Sequence, residues 1–388
     1  MEIGRLRTSL KIKLFIDKDL IILFLINLIY SSIILIGSDL DWPIYRDAKN
    51  YANMAKGLEA DSPYKYRILV PSFVGLFPDN YHKWVFLTIT VLSLAISDIL
   101  LFRFLQSSGY KRVSCYFGSF VWMGSWGYFY HLHNFGLVDP VYLVCLILLF
   151  NFLNAEKYFS ALISLLIGFF IKEAMFFFIP IIIVAALFGQ KKGFAILTML
   201  ISILLAIIIK TNFSYYERSL TSFIIMKFAD NAIYYLEEGL LITIVKFTYV
   251  NALIYSISIY GIILFAAVIG FFKTDIQNKL IFTLLCLAVL VMDLIAADWD
   301  RLMFALFPIL IMLGIKPINE LVEANVFEDK KILLVFSILL LIWVVLIPTN
   351  LVPVDWFFIK LKHTTPVFFS IGIVVACLYL LIMKKLQN

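Results

Sequence analysis

Asp39, Asp41 and Asp47 lie close together in Ser38-Asp39-Leu40-Asp41-Trp42-Pro43-Ile44-Tyr45-Arg46-Asp47, and Tyr51 and Ala55 follow Asp47 at intervals of four. Residues four apart are neighbours on a helix, so Asp47, Tyr51 and Ala55 share one face, with the Asp47 carboxyl in the first turn. The continuation Ser62-Pro63-Tyr64-Lys65-Tyr66-Arg67-Ile68-Leu69-Val70-Pro71 adds a proline-started turn, aromatics and a guanidinium. Carboxylates, arginines and tyrosines gathered at one interface make a surface suited to sugar and phosphate. Other polar sets occur further on: Lys172-Glu173 between two apolar runs, His131 and His133 with Asp139 downstream, and Asp298, Asp300 and Arg301.

Each set also has a plainer reading. The three aspartates suit a solvated loop with a helix N-cap, and Lys172-Glu173 suits a polar turn between hydrophobic helices. His131 and His133 stand beside Trp122, Trp126, Tyr128 and Tyr130, as in an interfacial aromatic belt. Asp298 and Asp300 with Arg301 suit an ion pair at a helix end. Asp98 and Asp293 sit inside apolar runs, where a carboxyl satisfies neighbouring helices.

The elements that must position these groups are membrane helices. The chain is 63% apolar and 15% charged, against roughly 45–50% and about 25% in soluble domains. Apolar segments fall near 20–37, 84–105, 113–130, 141–153, 158–171, 174–189, 194–210, 246–272, 280–297, 302–315, 332–347 and 367–383. They predict an all-α polytopic protein of about twelve spans, each needing roughly 20 residues to cross. Segment 141–153 and the pair around Lys172 and Glu173 are short for that and suit a water-filled cavity. The first run follows Arg5, Arg7, Lys11, Lys13 and Lys18 without a small-residue cleavage site, which reads as a retained signal-anchor.

With the N-terminus inside, the short basic loops holding Lys111 and Arg112, Lys157, Lys191 and Lys192, Lys273 and Lys279, Lys316 with Lys330 and Lys331, and Lys384 with Lys385 all face the cytoplasm. The opposite side receives a long first loop, 38–83, carrying short interfacial helices. It also receives the turn at His131 to Asp139, Lys172-Glu173, a second long loop at 211–245, and Asp298 to Arg301. Residues 1–388 form a single membrane domain, since no linker, low-complexity tail or internal repeat divides them. The net charge of +6 is spread through short loops, which speaks against nucleic-acid binding. Cys115, Cys145, Cys286 and Cys377 lie in or beside apolar segments without metal-ligand spacing.

The chain resembles the GT-C superfamily of membrane glycosyltransferases, which take a sugar from a polyprenyl-phosphate carrier at the outer membrane face. The first-loop Asp-x3-Tyr-x3-Ala and Arg67-Ile68-Leu69-Val70-Pro71, the Lys172-Glu173 pair, and Asp300-Arg301 followed by Phe304 and Pro308 carry the resemblance. It covers the general layout of the whole chain, and no large soluble C-terminal domain of the kind some members carry is evident. In that family an acidic residue of the first outer loop is the catalytic carboxylate, and Asp47 matches it best here.

Transfer from a lipid phosphate to a hydroxyl needs a carboxylate to take the acceptor proton and cations to stabilise the departing phosphate. Asp47 is the candidate base. Arg67 and Arg301 are the candidate bidentate phosphate partners, and Lys172 a point charge beside Glu173. Tyr51, Asp300, His131 and His133 complete the candidate binding set. Asp41 and Asp47 supply two oxygen ligands for a divalent ion, Mg or Mn, although the spacing does not require one. The expected partners are a lipid-linked sugar donor, a glycan, lipid or protein acceptor, and membrane lipids, in a bacterial inner membrane with both termini cytoplasmic. Two other functions fit the same pattern less closely: a polymerase or ligase of lipid-linked glycans, and a lipid or glycan transporter of the flippase kind.

Overall fold

The computed structural model describes residues 18–36, 46–60, 64, 67–213, 262–275, 279–287 and 304–326. All of its regular elements among these residues are helical. They run α1 Lys18–Ile36, α2 Arg46–Ala55, α3 Leu69–Val74, α4 His82–Ser107, α5 Arg112–Met123, α6 Trp126–His133, α7 Asp139–Asn154, α8 Tyr158–Ile171, α9 Ile179–Phe188, α10 Lys192–Phe213, α11 Ile262–Phe272 and α12 Phe307–Glu323. Short 3-10 turns at Asp79–Tyr81, Glu173–Phe178 and Phe304–Leu306 lead into α4, α9 and α12.

Helix α1 has the polarity of a soluble helix turned inside out. Its buried face holds Leu20, Leu23, Asn27, Ser31 and Ile34 at helical spacing, while Ile29 and Ile33 on the other side are 61% and 62% exposed. A face that is apolar yet uncovered is stable against lipid and costly against water. The stretches Lys18–Ile36, Asp79–Ser107 and Phe304–Glu323 are each long and apolar enough to cross a membrane. This agrees with a membrane protein.

Side-chain bonds order the two ends of the bundle. Asn154 at the end of α7 donates to Ser107 at the end of α4, and Asn151 to the Leu100 carbonyl, so α4 and α7 run parallel. Tyr158 at the start of α8 donates to the Ala185 carbonyl late in α9. Arg112 at the start of α5 is paired with Asp19 at the start of α1, and Lys273 just after α11 with Glu320 late in α12. The turns at 108–111, 155–157 and 189–191 therefore share one end with Lys111, Arg112, Lys157, Lys191, Lys192 and Lys273. Helix α11 lies close against α12 because Gly270 carries no side chain: a Cβ there would stand 1.9 Å from the Leu313 carbonyl oxygen.

The apolar run near 113–130 is broken into α5 and α6. Helix α5 ends at Gly124, and Ser125 then accepts the Tyr128 amide with its side chain, an N-cap that starts a new helix. Of the other expected spans, 332–347 and 367–383 lie outside the described residues. So do most of 246–272 and 280–297, and the 211–245 loop beyond Phe213, where α10 ends.

Candidate active site

At the end of the bundle opposite the basic turns, α2 packs on α3, α3 packs on α4 and α8, and Arg67 just before α3 reaches Glu173 just after α8. Helix α2 buries Ala48, Tyr51, Ala52 and Ala55, with Asn50, and exposes Lys49, Asn53 and Lys56. The burial follows from the i, i+4 pattern, since small alanines let the helix lie close and Tyr51 anchors it at 0% exposure. Gly75 permits that approach: a Cβ there would stand 2.6 Å from the Ala55 carbonyl oxygen.

Asp47, in the first turn of α2 and half-buried, accepts a 2.6 Å hydrogen bond on Oδ1 from the Tyr64 hydroxyl. The Tyr64 ring meets the Tyr51 ring edge-on at 5.7 Å, and the Arg67 guanidinium lies 5.3 Å from the Tyr64 ring centre. Arg67 in turn donates from Nη1 to the Tyr51 hydroxyl at 2.7 Å. It grips Glu173 with a fork, Nε to Oε2 at 2.9 Å and Nη2 to Oε1 at 2.6 Å. Burial works against the Arg67 charge, but the Glu173 carboxylate and the Tyr51 hydroxyl outweigh it and hold the group well above its ordinary pKa.

Next to Glu173 in the chain, Lys172 ends α8 in an extended conformation and its amide donates back to the Gly168 carbonyl. Its ammonium reaches Asp139 at 2.5 Å, both side chains at most 5% exposed, and lies 5.5 Å from the centre of the Tyr142 ring. Asp139 opens α7 and Lys172 closes α8, so each charge complements its helix dipole as well as its partner. Pro140 follows Asp139 within the first turn, where a proline removes no helical hydrogen bond. Two ion pairs thus form one floor, the Lys172–Asp139 pair buried and the Arg67–Glu173 pair half-buried at Glu173, and Asp47 stands on its rim.

The structure brings Asp47, Tyr51, Arg67, Lys172 and Glu173 together. His131 belongs to other surroundings: it is fully buried on α6, its Nδ1 is 2.5 Å from the Gly127 carbonyl, and its ring lies 5.5 Å from that of Phe304. His133 closes the same helix. Asp41, Asp300 and Arg301 lie outside the described residues. Sequence reasoning did not select Tyr64 or Tyr142 as site residues, and it took Asp139 only as a companion of the histidines. The signal for Asp139 was present in its position at the mouth of the α7–α8 hairpin, directly opposite Lys172.

Chemically, the floor holds its cations already neutralised by carboxylates, and the rim presents a carboxylate to which the Tyr64 hydroxyl donates. An oriented carboxylate can accept a proton from a hydroxyl, and a guanidinium keeps further N–H donors after one bidentate pair. Of the two aspartates considered as oxygen ligands for a divalent ion, Asp41 and Asp47, only Asp47 is described. Among the described residues no group of three or more His, Cys, Asp or Glu converges as metal ligands do. Compared with family models, with curated proteins and with solved structures, the chain matches none.

Proposed function

We propose that this chain is a multi-pass membrane glycosyltransferase that moves a sugar from a polyprenyl-phosphate donor to an acceptor hydroxyl at the non-cytoplasmic face. About twelve spans and cytoplasmic termini in a bacterial inner membrane go with this reading. The observation that carries it is the Asp47 carboxylate, oriented by Tyr64, on the rim of a charged floor at the end of the bundle opposite the basic turns. Basic turns prefer the cytoplasm, so the floor falls on the other side.

In this reading the acceptor hydroxyl loses its proton to Asp47 as its oxygen bonds to the sugar C1. The bond from C1 to the phosphate oxygen breaks, and polyprenyl phosphate leaves with the electron pair. Arg67 offers the departing phosphate the N–H donors it keeps beyond the Glu173 fork, with Lys172 behind it paired to Asp139. Their bonds to Glu173 and Asp139 hold them in place before substrate arrives, so no reorganisation is needed at the moment of transfer.

The test is mass spectrometry of surface and lipid-linked glycans from a deletion strain complemented with wild type or Asp47→Asn at matched protein levels. Loss of a general base lowers transfer by about 10²–10⁴-fold. A glycan lacking one sugar in both the deletion and the Asp47→Asn strain supports the proposal and names the sugar. Full transfer by Asp47→Asn refutes the role of Asp47. Unchanged glycans in every strain refute the transferase reading itself and favour transport.

A further inference from the structure

Within the bundle, away from the rim, hydrogen bonds run from α1 and α6 to a carboxylate on α4 and stop at one of its oxygens. The Ser31 and Tyr128 hydroxyls are 2.9 Å apart, and Tyr128 donates to Asn27 Oδ1 at 3.0 Å. Asn27 Nδ2 donates to Asp98 Oδ2 at 2.7 Å and to the Leu23 carbonyl at 2.8 Å, so both of its amide protons are used. The carboxyl is therefore fixed through Oδ2. Its other oxygen, Asp98 Oδ1, has no hydrogen-bond partner, and neither has Ser119 Oγ, which stands beside the carboxyl on α5. Asp98 and Ser119 are both at 0% exposure.

Two buried oxygens from different helices thus stand side by side with no hydrogen bond between them, an arrangement that suits ligands of a shared cation better than a donor and its acceptor. Asp98 is nine residues from Ser107 at the basic end of α4. At 1.5 Å per residue it lies about 14 Å into the bundle, close to the middle of a hydrocarbon core of about 30 Å. The ion pairs among the described residues do not include it. A carboxylate at that depth needs a compensating charge. A water molecule would donate to Oδ1 and leave that charge in place, whereas a cation shared with Ser119 Oγ engages both oxygens and neutralises the acid. Carboxylate and hydroxyl are hard oxygen ligands, and one carboxylate matches a single positive charge where calcium gathers several.

We propose that Asp98 and Ser119 bind a sodium ion in the core of the bundle, between α4 and α5. Asp98 Oδ1 and Ser119 Oγ are its protein ligands, ordered water completes its shell, and Asn27 holds the carboxylate by Oδ2. The ion makes the link between α4 and α5 that the two side chains do not make with each other. Because it binds the folded bundle, it stabilises the protein in proportion to its occupancy. The site lies apart from Asp47 and its neighbours, so it stands or falls independently of the transferase reading.

The thermal midpoint of the full chain in lipid nanodiscs, titrated with sodium chloride against choline chloride at constant ionic strength, tests this. The expected result is a saturable rise of the wild-type midpoint with sodium that is lost in Asp98→Asn. Ser119→Ala removes one neutral ligand and moves half-saturation to about tenfold higher sodium, which decides the matter even if Asp98→Asn does not fold. A wild-type midpoint that is the same in sodium and choline overturns the proposal and leaves water or a proton at Asp98. A sodium-dependent rise retained in Asp98→Asn, or a half-saturation unmoved by Ser119→Ala, overturns it as well, because the ion then binds elsewhere.

Discussion

Replacing Lys172 by Met leaves the Asp139 carboxylate in a position where its side chain is 3% exposed, with its ammonium partner gone. Breaking a buried pair by removing one partner costs about 3–5 kcal/mol, because the remaining charge is uncompensated. Neutralising both ends is far less costly, so Lys172→Met with Asp139→Asn recovers most of the loss. With either single change costing about 3–5 kcal/mol and the double change recovering most of it, the double-mutant cycle gives a coupling above about 3 kcal/mol, at or beyond the top of the range found for contacting residues. Equilibrium unfolding in mixed micelles measures all four proteins under one condition. At 1.36 kcal/mol per decade, the Lys172→Met loss alone is a change of about 10²–10⁴ in the unfolding constant. Additive single effects, with coupling below about 0.5 kcal/mol, would refute the buried pair as an energetic unit.

Tyr64→Phe deletes the hydroxyl that orients Asp47. A hydrogen bond to a charged group is worth about 1.5–3 kcal/mol, so transfer in isolated membranes drops about ten- to a hundredfold without loss of folded protein. Gly270→Ala places a methyl against the Leu313 carbonyl, backbone that cannot swing aside; the thermal midpoint falls by the equivalent of about 1–3 kcal/mol. Glu156, in the turn that follows α7, has φ 56°, a left-handed conformation that costs a residue with a Cβ. Glu156→Gly relieves this and raises stability by up to about 1 kcal/mol, read from the same midpoint.

Local periodicity by itself determined that the chain is helical and that Asp47 and Tyr51 share a face of α2, because both depend only on residues within one or two turns. The apolar runs likewise carried the membrane character, and the Lys172-Glu173 pair was visible as a polar interruption at a hairpin tip. The break at Gly124-Ser125 was less legible, since continuous hydropathy hides a cap made by one serine side chain. Tertiary structure alone decided that Arg67 grips Glu173, 106 residues away, that Lys172 meets Asp139, and that His131 enters the aromatic contact with Phe304. The physical reason lies in the solvent. Lipid-facing and buried faces are both apolar, so the alternation that tells a soluble helix which way to turn is absent, and the choice of partners falls to packing and to buried charges that must find one another.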